Sequence, residues 1–164
     1  MQTAVPRGAA RRSCLVLTVL GIGLIAGTLD ITDALVFSWI HGVGPTRVFQ
    51  YIASGLVGRN SFQLGAMSVA LGVILHYVIA LSWTGIFCLV SSRLTVLRRW
   101  AAISGLIYGA LVYLVMNFIV LPLSRVPHMT RPMTLASRIN GVMALLLCIG
   151  LTISLLMRRW VSSR

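Results

Sequence analysis

Four long apolar segments constrain this chain more than any other feature of its sequence. They cover about residues 14–40, 62–90, 100–124 and 139–157. Each reaches or approaches the roughly 20 residues that a helix needs to cross a hydrocarbon layer of about 30 Å. Because lipid offers the backbone no hydrogen-bond partner, such segments must be helical. The sequence therefore predicts an all-α, polytopic integral membrane protein, with a single four-helix transmembrane bundle over residues 1–164.

The composition fits lipid as the solvent of this chain and excludes a soluble domain. Of its 164 residues 58% are hydrophobic and 10% are charged, whereas a typical soluble domain is about 25% charged. The chain has 14 basic residues, all of them arginine, and two acids. Since the arginines flank the apolar segments, we interpret them as contacts to lipid headgroups. The lipid bilayer is therefore an expected partner, and nucleic acid is not.

The distribution of the arginines predicts the orientation of the helices. The nine on one side are Arg7, Arg11, Arg12, Arg93, Arg98, Arg99, Arg158, Arg159 and Arg164, and the five on the other are Arg47, Arg59, Arg125, Arg131 and Arg138. Cytoplasmic loops carry the excess of basic residues. We therefore predict a multi-pass protein of the bacterial inner (cytoplasmic) membrane with both termini in the cytoplasm. The first segment is too long for a signal peptide, so we expect it to remain as a helix.

A short amphipathic stretch, about residues 45–57, follows the first apolar segment. Val48, Ile52 and Leu56 recur there every four residues, a spacing that puts all three on one helical face. This pattern predicts a helix that lies on the membrane surface or re-enters the membrane. The third loop, residues 125–138, contains two prolines, and we expect it to be irregular.

Small residues line one face of the first three predicted transmembrane helices. In lipid, small residues at helical spacing let two helix backbones approach closely. We therefore predict helix packing at six glycines: Gly23, Gly27, Gly65, Gly72, Gly105 and Gly109.

Five polar residues continue these faces inside the apolar segments. They are Asp30, Asp33, His76, Tyr113 and Asn117. The two aspartates are the only acids of the chain, and a carboxylate in the bilayer interior is unfavourable unless it is protonated, paired or hydrated. These five residues are the candidate site, whether they contact an ion, contact a ligand or only support the structure.

Two roles for Asp30 stay open at this point. It could lock the bundle by hydrogen-bonding Asn117 or Tyr113, or by pairing with an outer-loop arginine such as Arg47 or Arg125. It could instead take part in function, which is the default hypothesis for an ionisable residue inside a membrane. The depth of Asp30 decides between the two roles, and the sequence leaves that depth open between the outer third and the middle of the bilayer.

His76 also has two possible roles. It could relay protons or contact a ligand, because imidazole titrates near physiological pH. As a buried neutral side chain it could instead donate a hydrogen bond to a helix carbonyl. A haem held by two histidines is not expected, since His41 and His128 fall in the predicted outer loops.

Signatures of catalysis and of metal binding are missing from the sequence. We find no zinc-protease, serine-hydrolase, P-loop or dinucleotide pattern. The three cysteines form no C-x-x-C pair, and no ligand spacing supports a metal site. We therefore expect no catalytic residues, no metal and no cofactor, and we do not expect an enzyme.

Several short motifs are shared with a known group of membrane proteins. They are an early Ala-Gly pair, a histidine followed by Tyr and Trp, a GLxxGA string and an LPLS string: Ala26–Gly27, His76, Tyr77, Trp83, Gly105–Ala110 and Leu121–Ser124. In these features the chain resembles the small bacterial inner-membrane proteins of the YagU-like family. The chain lacks the extended, acid-containing outer loop of that group. The resemblance implies a fold and a location, and it implies no activity.

The sequence leaves three functions open. The first is a structural, scaffolding or envelope-stress role, in a homo-oligomer or bound to another membrane protein, which the glycine faces suggest. The second is a proton-coupled small-molecule transporter in which Asp30 carries the proton, while Asp33, His76 and Asn117 line the path. The third is a membrane enzyme acting on lipid at the outer leaflet through Asp33, His41 and the outer arginines.

Overall fold

The structure, a computed structural model, describes residues 7–127 and 134–162, and for residues 7–14, 161 and 162 it describes the backbone alone. The expectations for His128, Arg131 and Arg164 lie outside the described residues.

The described chain consists of helices joined by short turns. They are α1 (Arg7–Ile40), α2 (Pro45–Val57), α3 (Ala66–Arg93), the short α4 (Thr95–Arg99), α5 (Ala101–Leu123) and α6 (residues 135–162). α1, α3, α5 and α6 contain apolar spans of 26, 28, 23 and 26 residues. At 1.5 Å per residue these spans are about 35 to 42 Å long, enough to cross a bilayer. The predicted all-α, four-helix membrane bundle is therefore confirmed.

Two of the membrane-spanning helices begin at residues other than the predicted ones. The second span begins at Ala66 rather than near residue 62, because a 3₁₀ turn over Gly58–Phe62 follows α2. α6 begins at Leu135 rather than near residue 139. There Thr134 caps the helix, accepting a hydrogen bond from the Ser137 backbone N–H at 3.2 Å. The apolar run alone does not predict this start, because Thr134 lies outside it.

α1 packs between α3 and α6, and α5 packs against α6. Buried apolar side chains fill the half of the bundle towards α4. They are Ile22, Ala26, Phe87, Cys88, Val112, Ile149, Ile153 and Met157. α2 lies at the opposite end, which we call the α2 side of the bundle. The α2 side, in contrast, contains a cavity into which polar side chains point.

Five of the six predicted packing glycines lie where helices approach closely. A Cβ atom at Gly27 would fall 2.9 Å from Ala80 Cβ of α3, and one at Gly109 would fall 2.6 Å from Leu146 Cα of α6. A Cβ atom at Gly23, Gly72 or Gly105 would likewise fall too close to atoms of α3, α2 or α6, respectively. Each of these glycines therefore holds two elements of the same chain together.

The packing role predicted for Gly65 is wrong. No atom lies within 4 Å of a Cβ placed there, and its φ is +55°. Gly65 therefore serves the turn that starts α3, where a left-handed backbone favours glycine.

α2 has the predicted bounds, and its most buried residues lie beside the predicted apolar stripe. Its buried residues are Gln50, Ala53 and Ser54, whereas Leu56 is exposed. The Phe49 backbone meets α3 at Gly72, which has no side chain to keep it away. This close approach turns Val48 and Ile52 towards the interior of the bundle, where both line a cavity.

Candidate functional site

A cavity of about 480 Å³ lies on the α2 side of the bundle, between α1, α2, α3, α5 and α6. All five polar residues singled out in the sequence line it: Asp30, Asp33, His76, Tyr113 and Asn117. Each of them is half-buried. The structure therefore brings together side chains from α1, α3 and α5 that are far apart in the sequence.

Three of these residues lie at a similar depth. Asp30 is ten residues before Ile40 at the end of α1, and His76 is ten residues after Ala66 at the start of α3. Tyr113 is ten residues before Leu123 at the end of α5. All three helix ends are on the α2 side, so these side chains lie about 15 Å inside it, taking 1.5 Å per residue. This places Asp30 nearer the middle of its span than its end.

Asp33 is held by a residue of the last helix. The Asn140 side-chain amide donates to Asp33 Oδ2 at 2.8 Å. Asn140 is the sixth residue of α6, on the same side of the bundle. The hydrogen bond joins the first and last transmembrane helices and holds the Asp33 carboxyl group in place.

Asp30 makes none of the contacts that would lock it in place. Within the part of the chain that the structure describes, no group donates a hydrogen bond to its carboxylate and no arginine pairs with it. The Asn117 amide donates instead to the Tyr113 carbonyl of its own helix at 2.9 Å. The Arg47 guanidinium lies over the Phe62 ring, 4.9 Å from its centroid. The carboxylate of Asp30 therefore faces the cavity.

His76 forms the carbonyl contact that was one of its two expected roles. Its Nε2 lies 2.8 Å from the Gly27 carbonyl oxygen of α1, and since a carbonyl only accepts, Nε2 carries the proton. Gly27 is one turn before Asp30 on α1, and His76 lies within electrostatic range of Asp30. The hydrogen bond fixes the imidazole at the cavity wall, and Nδ1 is left to accept or bind a proton.

Aromatic side chains form much of the remaining wall. Trp83 lines the cavity from α3, Phe37 from α1 and Tyr51 from α2. Below Trp83, the Tyr108 hydroxyl donates to the Trp83 carbonyl at 2.6 Å, and the two rings pack edge to face. Burial raises the pKa of the Tyr51 phenol, so Tyr51 stays protonated at neutral pH. The cavity thus combines polar groups with aromatic faces.

Two stretches of π-helix border the cavity. Met116–Val120 interrupts α5, and Leu145–Leu151 interrupts α6. Met116, Asn117 and Leu145 belong to these stretches and line the cavity. π-helical insertions are rare and occur frequently at functional sites.

Sequence reasoning missed several lining residues. Asn140, Arg138 and Ser137 line the cavity from the first turns of α6, and Tyr51 and Trp83 line it from α2 and α3. A signal existed for Asn140, since it is a polar residue near the start of an apolar run. Arg138 falls in a predicted loop, so the sequence indicates for it only a contribution to the orientation of the helices.

The cavity offers no ready metal site. In residues 7–127 and 134–162 no group of three or more His, Cys, Asp or Glu side chains is placed to hold a metal ion. The carboxylates, the imidazole and the amides can instead bind a proton or the polar group of a small molecule.

Comparisons of this chain with protein-family models, curated proteins and solved structures found no match. The resemblance to the YagU-like family stays a prediction.

Proposed function

We propose that this chain is a proton-coupled small-molecule transporter whose binding site is the cavity on the α2 side. One observation carries the proposal. Polar side chains of three membrane-spanning helices face a single cavity, and no group among the described residues donates a hydrogen bond to the carboxylate of Asp30 there. An unpaired carboxylate inside a membrane is unfavourable and marks a proton or substrate path.

The two aspartates have different roles in this proposal. Asp33 keeps its hydrogen bond to Asn140 and does not exchange its partner. Asp30 accepts a proton when the cavity is empty, because protonation removes its uncompensated charge. When a substrate enters, Asp30 loses that proton to water and binds the substrate instead. Proton and substrate therefore alternate on one carboxylate, which couples their movements across the membrane.

Charged and titratable groups on every neighbouring helix line the same cavity as Asp30. They are Asp33 of α1, Tyr51 of α2, His76 of α3, Tyr113 of α5 and Arg138 of α6. His76 lies within electrostatic range of Asp30 and has Nδ1 available. We assign to His76 the transfer of the proton between Asp30 and water.

The structural or scaffolding role has less support in the geometry. Five of the six glycines that suggested self-association lie against α2, α3 and α6 of the same chain. Binding to a second copy or to another membrane protein stays a prediction, as does a lipid-modifying enzyme that uses Asp33 and His41.

We further propose that the protein lies in the bacterial inner membrane with both termini in the cytoplasm. Nine arginines against five support this orientation. In a cysteine-free variant, Asn60→Cys on the α2 side should react with an impermeant maleimide in whole cells. Ser92→Cys near α4 should react only after permeabilisation. The reverse pattern would invert the orientation.

Solid-supported-membrane electrophysiology tests the transport function directly. Proteoliposomes are exposed to a panel of amine cations, carboxylate anions and neutral sugars, with and without a pH gradient. We expect a proton-coupled current for at least one class, lost in Asp30→Asn. Ser82→Ala is the matched control, since Ser82 is exposed and bonds only the Val78 carbonyl of its own helix. No current with any class, or unchanged currents in Asp30→Asn, would overturn the proposal.

A further inference from the structure

The charge of the cavity is unevenly distributed along its depth. Asp30 and Asp33 lie ten and seven residues from the end of α1, so about 10 to 15 Å inside the α2 side. Arg138 is the fourth residue of α6 and is exposed, so it lies nearer the rim. The deep part of the cavity therefore carries two carboxylates and no basic side chain among the described residues, apart from the imidazole of His76.

The walls around these carboxylates are mostly apolar and aromatic. Trp83, Tyr113, Phe37 and Tyr51 present rings, and aliphatic side chains such as Ile79 fill the space between them. The faces of aromatic rings attract cations, most strongly where water is excluded. A ligand that satisfies both the carboxylates and the walls must carry positive charge on a bulky apolar body.

We propose that the cavity binds lipophilic organic cations, with Asp30 and Asp33 as the charge partners and Trp83 as part of the apolar wall. This inference rests on the proposed function, because it names the substrate class of the same cavity.

Other ligand classes fit the cavity less well. An anion would meet two carboxylates in the deep part and, of the described residues that line the cavity, only Arg138 as a basic group at the rim. A small metal ion would need several converging oxygen or nitrogen ligands, and the described residues hold no such group. A neutral molecule could not compensate the charge of Asp30 and would therefore not replace the proton on its carboxylate.

The test uses Trp83 as the only reporter. Trp39, Trp100 and Trp160, which do not line the cavity, are replaced by phenylalanine in the full chain. The purified protein is titrated with three probes of similar shape: tetraphenylphosphonium, the neutral triphenylphosphine oxide and the anion tetraphenylborate. Quenching or shift of the Trp83 fluorescence reports binding, and circular dichroism confirms that each variant is folded.

We expect saturable binding of tetraphenylphosphonium, at least about tenfold tighter than that of the neutral oxide, which corresponds to about 1.4 kcal/mol. Asp30→Asn and Asp33→Asn should each remove most of this preference. Ser82→Ala should keep it, which controls for partition of the probes into detergent. Tetraphenylborate should give no saturable signal.

Two results would overturn the inference. The first is binding of the oxide or of tetraphenylborate as tight as that of the cation. This outcome rejects the substrate class and leaves the cavity as a binding site. The second is no response of Trp83 to any of the three probes in a folded protein. That also rejects the substrate class, and the currents of the wider panel then decide the proposed function separately.

Discussion

The side-chain amide of Asn140 donates a hydrogen bond of 2.8 Å to Asp33 Oδ2 across 107 residues of sequence. It joins α6 to α1 at the wall of the cavity. Within the described residues, Asp33 is thereby hydrogen-bonded to another helix while Asp30, one turn away, is not. The Asp33 carboxylate is therefore fixed, whereas the Asp30 carboxylate can exchange a proton for a substrate.

Asn140→Ala should destabilise the bundle by about 0.5 to 2 kcal/mol, because it removes an interhelical hydrogen bond and leaves a carboxylate unpaired. Unfolding by sodium dodecyl sulfate in mixed micelles measures the change. Asn117→Ala is the control, since its amide bonds only to its own helix. An equal loss in both variants would contradict a special role for the Asn140 contact.

Asp30→Asn should stabilise the protein while it removes transport. An amide needs neither a proton nor a counter-charge in the membrane, and we expect a gain of about 1 to 3 kcal/mol at neutral pH. The same unfolding experiment measures it. Asp33→Asn should not share this gain, because it weakens a charge-assisted hydrogen bond. A marked loss of stability in Asp30→Asn would show that Asp30 has a structural partner after all.

Gly109→Ala should force α5 away from α6. The new methyl group would lie 2.6 Å from Leu146 Cα, and overpacking of this kind typically costs about 1 to 3 kcal/mol. Gly21→Ala is a matched control within a transmembrane helix, since no atom lies within 4 Å of a Cβ there. It should be neutral or slightly stabilising. Thermal unfolding in mild detergent compares the two, and similar melting temperatures would contradict the close α5–α6 contact.

His76→Ala should cost about 0.5 to 1.5 kcal/mol, because the donor to the Gly27 carbonyl is lost. His76→Gln can keep a donor and should recover part of the stability. It should not recover proton-coupled currents, since an amide does not titrate. If the glutamine variant transported normally, His76 would be a structural residue only.

The apolar spans were predictable from the sequence because hydrophobic length and the backbone's need for hydrogen bonds act locally. The glycine spacing likewise pointed to close helix contacts at Gly23, Gly27 and Gly109. The prediction for Gly65 was wrong because spacing alone does not distinguish a glycine in a helix contact from a glycine in a turn. The difference is the backbone angle, which depends on the loop that precedes α3.

The cavity was only partly predictable. Asp30, His76 and Tyr113 stood out as polar residues in apolar runs, and their common depth follows from where each helix ends. The contribution of Asn140 depends on the packing of α6 against α1, which no local pattern encodes. The burial of Gln50, Ala53 and Ser54 likewise depends on the approach of the Phe49 backbone to Gly72.

Cysteine accessibility tests most directly whether the cavity is open to water inside the membrane. Ala144 lines the cavity from α6, and Leu114 is exposed on the outer surface of α5. Each lies nine residues from the end of its helix on the α2 side, so their depths match. In a cysteine-free variant in proteoliposomes, the water-soluble reagent methanethiosulfonate ethyltrimethylammonium should modify Ala144→Cys and leave Leu114→Cys unmodified. Failure to modify Ala144→Cys, or equal rates at both positions, would contradict a water-accessible site between the helices.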